Sequence, residues 1–82
     1  MIRQSKKDSC YTVEILWGPS EPEVFATNPR DAVVFTLKKH GYCAKRDNVV
    51  GVNDDEYAMV KVCLLGGTRE SVNYYNITGI KL

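Results

Sequence analysis

Only one stretch of this chain carries a complete set of helix signals: a start, a stop and a period. Asn28 can accept an orphan amide of a first helical turn through its side-chain oxygen. Pro29 falls at the first helical position, where its missing N–H costs nothing. Asp31, three residues after the cap, suits the positive end of the helix dipole and approximates a capping box. Lys38, Lys39 and His40 fall in the last turn, and Gly41 can take the left-handed conformation that ends a helix. These signals predict a helix over Pro29–His40. A chain with one helix must build the rest of its core from strands.

The strand signals are there. From Cys10 to Trp17 the residues alternate, with Tyr11, Val13, Ile15 and Trp17 on one face and Cys10, Thr12, Glu14 and Leu16 on the other. Gly18-Pro19-Ser20-Glu21-Pro22 should break this strand. A short second strand is expected over Glu23–Thr27, returning antiparallel to the first. Residues 42–56 read less clearly: Tyr42-Cys43-Ala44 as a strand start, Lys45 to Asn48 as a turn, Asn48 to Val52 as a short strand, then a solvated acidic loop. Tyr57–Leu65 reads as a central strand, with Ala58, Val60, Val62 and Leu64 on a wholly apolar face and Tyr57, Met59, Lys61, Cys63 and Leu65 on a mixed one. Gly66-Gly67 predicts a two-residue type I′ turn, which needs positive φ at both positions. Thr68 to Ile77 would be the returning partner, and Gly79 a bend after it. The expected fold is α+β: a single helix packed on a four- or five-stranded, mostly antiparallel sheet, in the order β-β-α-β-(β)-β. Residues 10–82 form one domain, preceded by a flexible basic arm over 1–9.

With 82 residues of which 44% are hydrophobic, the chain has material for one core and little to spare for a deep substrate cavity. Eleven basic and 10 acidic side chains leave a net charge of +1, without the basic excess that duplex binding by phosphate neutralisation usually requires. No apolar run approaches the ~20 residues that span a bilayer. The polar start, Met1 to Ser9, is not a signal peptide. Three widely spaced cysteines, Cys10, Cys43 and Cys63, without a CxxC pair, read as reduced core or near-core residues of a cytoplasmic protein. The sequon at Asn76 then has no glycosylation machinery to meet.

The reactive side chains are few and dispersed. His40 is the sole histidine, and its nearest thiol, Cys43, stands across a helix-ending glycine with no third group to orient the pair. Three scattered cysteines and one histidine do not have zinc spacing, and Asp54-Asp55-Glu56 lacks the pattern of a calcium loop. Gly66-Gly67-Thr68-Arg69 opens onto a strand rather than a helix N-terminus, so it reads as a hairpin and not a phosphate cradle. The expectation is a non-enzymatic protein with no cofactor and no metal.

Two surface features remain. On a helical wheel Val33, Val34 and Leu37 form one stripe, whereas Phe35 falls nearly opposite, beside Asp31, Lys38 and Lys39. Phe35, Lys38, Lys39, Tyr42, Lys45 and Arg46 thus interleave basic and aromatic groups around the helix end. Such a set could meet an acidic face of a protein, or single-stranded nucleic acid by stacking and charge. The second feature is Tyr74-Tyr75, of which strand alternation must bury one and expose the other. Tyr75 is taken as a candidate anchor with the basic set.

The passage Val24-Phe25-Ala26-Thr27-Asn28-Pro29-Arg30-Asp31-Ala32-Val33 runs from strand into capped helix. It resembles the strand, A-T-x-x-x-D/E-A, helix passage of several small phage-encoded host-takeover and anti-defence inhibitors, among them phage inhibitors of host RNA polymerase and some anti-CRISPR proteins. The match covers about ten residues and assigns no binding residue to a position here. The resemblance implies a stoichiometric inhibitor that occupies a functional surface of a host protein. The expected function is therefore a small protein-binding module contacting a host or regulatory protein, with RNA or single-stranded DNA binding as the alternative. A homodimer through an uncovered sheet edge is compatible with both.

Overall fold

The computed structural model describes residues 8–80. Strands β1 (Ser9–Ile15) and β2 (Ser20–Ala26) lead into helix α1 (Pro29–Lys39), which is followed by β3 (Val49–Val52), β4 (Val60–Leu64) and β5 (Val72–Ile77). The strands form one sheet in the order β2-β1-β4-β5-β3, and each neighbouring pair is antiparallel. With α1 packed on one face, this is the expected α+β fold with its optional strand present. The arm expected over 1–9 lies outside the described residues as far as residue 7, and Ser9 already belongs to β1.

The helix ends follow from local chemistry. Asn28 Oδ1 accepts the Asp31 backbone N–H at 2.9 Å, and Asn28 Nδ2 reaches Asp31 Oδ2 at 3.3 Å. At the other end Gly41 sits at φ 90°. There the Tyr42 N–H donates to the Leu37 carbonyl at 2.9 Å and the Gly41 N–H to the Lys38 carbonyl at 3.1 Å. These two bonds make a Schellman motif, with His40 as the cap residue.

Below the helix the core is a set of β-branched and aromatic rows. α1 buries Ala32, Val33, Val34, Thr36 and Leu37, and the Thr36 hydroxyl donates to the Ala32 carbonyl at 2.9 Å. The sheet answers with Tyr11, Val13, Ile15, Val60 and Val62 in the same cluster. One row, Ile15–Val60–Tyr75–Gly51, crosses four strands. Gly51 leaves the space beside the Tyr75 ring, where a Cβ would stand 3.6 Å from Cε1.

Several local expectations are corrected. β2 begins at Ser20 rather than Glu23, so Pro22 lies inside a strand. It is tolerated because β2 is a sheet edge and the register slips opposite Thr12. The Thr12 hydroxyl donates to the Pro22 carbonyl at 2.9 Å across that bulge. Tyr42-Cys43-Ala44 is not a strand, because the Tyr42 N–H is committed to the helix exit; Ala44 turns inward and Cys43 is exposed, not near the core. Residues Asp55–Tyr57 form a 3-10 turn capped by Asp54, which delays β4 to Val60. The glycine pair is no type I′ turn: only Gly66 has positive φ, and another 3-10 turn, Arg69–Ser71, precedes β5. Gly67 is required by closeness instead, as a Cβ there would meet Ser71 Oγ at 2.6 Å.

Candidate functional site

The smallest dimension of the molecule is 20 Å, the thickness of one helix layer on one sheet. Two surfaces follow: the outer side of α1, and the sheet face turned away from it.

On α1 the period decides which side chains point out. Phe35 is 47% exposed in a helix whose other apolar residues, Ala32, Val33, Val34 and Leu37, are all buried. Lys38 and Lys39, one turn on, are exposed with it. The 3-10 turn Arg46–Asn48 packs beside the helix, held by the Lys45 N–H donating to Asn48 Oδ1 at 3.2 Å. Arg46 Nε reaches Asp31 Oδ1 at 3.1 Å, which draws this basic turn to the Phe35 side of α1. The structure thus brings Phe35, Lys38 and Arg46 onto one face, with Lys45 exposed at the start of the turn.

The other members of the predicted set stand differently. Lys39 turns to β2, where its Nζ lies 3.0 Å from Glu21 Oε1, and His40 Nε2 lies 2.7 Å from Glu21 Oε2. Tyr42 is half-buried, its ring edge-on to Trp17 at a centroid distance of 5.4 Å. Tyr75 is a core residue, 8% exposed, and is removed as a surface anchor. Strand parity puts Tyr74, not Tyr75, on the open face. Burial pushes the Tyr75 phenol up, against the nearby Arg30 charge.

The Glu21 carboxylate clamps the helix end to the sheet edge. The hydrogen bond from His40, and then that from Lys39, hold its carboxyl below the usual glutamate range. A depressed folded-state value means that the contribution to stability is present above the ordinary glutamate range and lost as pH falls through the depressed one. Urea unfolding of wild type and Glu21→Gln across the acid range checks this. Wild type should lose stability more steeply than the variant as pH falls; equal slopes would show that the clamp contributes nothing.

The second surface is assembled by the sheet from residues far apart in sequence. Outward residues of β1, β4 and β5 surround a shallow depression of about 450 Å³, lined by Glu14, Leu16, Lys61 and Tyr74, with Asp55 at its rim. Leu16 is 82% exposed and Phe25, on the same face of β2, 64%. The signal lay in the mixed second faces of two strands, but only the strand order puts those faces side by side. No described helix is long and apolar enough to cross a membrane. Comparison with protein-family models, with curated proteins and with solved structures gives no match.

Proposed function

We propose that this chain is a non-enzymatic protein-binding module that meets its partner through the outer face of α1 and the basic turn beside it. One observation carries the reading: Phe35 stands out of a helix whose remaining apolar residues are buried, next to cations that lack a carboxylate. Among the described residues Lys38 and Lys45 have no ion-pair partner. An aromatic side chain flanked by unpaired cations suits a protein surface that offers an apolar pocket with an acidic rim. On this reading the module acts stoichiometrically, by covering a surface that a host or regulatory protein needs. That is also what the resemblance to small phage inhibitors implies.

The same geometry weighs against single-stranded nucleic acid as the partner. Lys39 and Arg46 are already paired with Glu21 and Asp31, and Tyr42 is packed against Trp17. A stacking platform would be left with Phe35 alone, whereas such binders combine several aromatics with a basic groove.

The test is affinity capture from the native host with wild type and with a Phe35→Ala, Lys38→Glu double variant. Both positions are exposed, so the variant should keep its fold by circular dichroism. Capture of the partner should fall by about tenfold or more. Undiminished capture by the variant removes this surface, and retention on single strands at low salt that is lost as salt rises would favour nucleic acid.

A further inference from the structure

We propose that the sheet face turned away from α1 is the contact surface for a second copy of this chain. The inference rests on a different surface from the protein-binding reading and stands or falls apart from it.

That face is uncovered among the described residues, and it is apolar for an open one. Phe25, Cys10 and Leu65 form one cross-strand row, and Thr12, Cys63 and Val72 the next. The following row, Ser20–Glu14–Lys61–Tyr74–Val52, spans all five strands. Its centre holds two opposite charges, Glu14 and Lys61, directly across from each other on β1 and β4. Among the described residues neither makes an ion pair within the chain.

This pattern suits the chain's own surface. A two-fold axis near the Glu14–Lys61 pair lays each Glu14 over the Lys61 of the other copy, because an isologous contact matches a patch to itself. A different partner would have to supply both charges, in the right order, inside an apolar frame. Two sheets packed in this way lie ~10 Å apart with their strands within about 30° of each other. That axis runs between β1 and β4, so it lays β2, β1, β4 and β5 over β5, β4, β1 and β2 of the other copy and leaves β3 outside. Four strands at ~4.8 Å spacing and about six residues at ~3.3 Å each give a flat footprint of roughly 380 Å² per copy. The two copies together give roughly 760 Å², the scale of a weak, reversible contact.

The sheet edges offer less. β2 is blunted by Pro22 and its bulge, and β3 presents only four residues. A dimer through the face turns both α1 helices outward, so that each assembly displays two copies of the Phe35 surface.

Sedimentation equilibrium of the full chain from about 1 to about 300 μM tests the proposal by mass action. Wild type should be a monomer–dimer system. Lys61→Glu places four carboxylates at the axis and should weaken association by about tenfold or more. Glu14→Lys combined with Lys61→Glu restores complementarity and should recover association to near the wild-type value. Both side chains are exposed, and circular dichroism checks that the variants fold. A wild-type chain that stays monomeric throughout overturns the proposal. So does a dimer indifferent to Lys61→Glu, or a double variant no better than the single one.

Discussion

Replacing Leu37 by alanine is expected to lower the unfolding free energy by about 3 kcal/mol, in the range found for buried leucines. Leu37 has no exposed surface and lies in one cluster with Val13, Val33, Val60 and Val62, so the truncation removes contacts from helix and sheet together. The loss is large for a domain of this size. At roughly 0.05–0.15 kcal/mol per residue the whole fold is held by about 4–12 kcal/mol. Thermal unfolding followed by circular dichroism should show the midpoint falling by about 15 °C. Tyr57→Ala, at a 68% exposed position, should stay within about 0.5 kcal/mol of wild type. A Leu37→Ala cost below about 1 kcal/mol would mean that α1 does not pack on the sheet as described.

The second large effect is expected at Gly67. A Cβ there would stand 2.6 Å from Ser71 Oγ, 2.9 Å from Ser71 Cβ and 3.0 Å from the Leu64 carbonyl oxygen. Two of these atoms belong to a side chain that can shift, but Ser71 Oγ also accepts the Thr68 N–H at 3.2 Å, so moving it sacrifices the start of the 3-10 turn. Gly67→Ala should therefore cost about 2 kcal/mol, as overpacking does elsewhere. Ser71→Gly in the same chain removes both side-chain clashes, so the double variant should be less destabilised than the sum of the two single changes. Denaturant unfolding of the four proteins measures this coupling, and additive losses would contradict the close approach.

The glycine pair shows where the sequence can be read and where it cannot. Two adjacent glycines after an apolar strand announce a chain reversal, and β4 and β5 do pair antiparallel across it. Which glycine needs positive φ and which needs the absence of a Cβ depends on the 3-10 turn that folds back over them. The helix was legible nearly to the residue, because Asn28, Pro29, Asp31 and Gly41 act within one turn of its ends. Pro22 misled for the opposite reason: a proline breaks a central strand but not a bulged edge, and edge position is decided by strand order.

The candidate surfaces divide in the same way. Phe35 opposite the apolar stripe was legible from the helical period alone. The paired states of Lys39 and Arg46 were not, since Glu21 comes from another element and Asp31 meets a turn fifteen residues on. Two adjacent tyrosines give no parity by themselves, so the sequence offers Tyr75 as a surface anchor as readily as Tyr74. The pairing of Tyr75 with Val60 and Gly51 turns it into the core. The open face was half visible in the mixed sides of two strands, and the sheet order, which makes β1 and β4 neighbours, joins those sides into one surface.

The central claim is that the Phe35 face of α1 touches a protein. Site-specific photo-crosslinking in the native host measures this directly, with a photoreactive phenylalanine analogue at position 35 and, as a control, at the exposed position 57. A discrete protein adduct from position 35 and none from position 57 is the result this account predicts. Adducts to nucleic acid at position 35, or the same protein adduct from both positions, would contradict it.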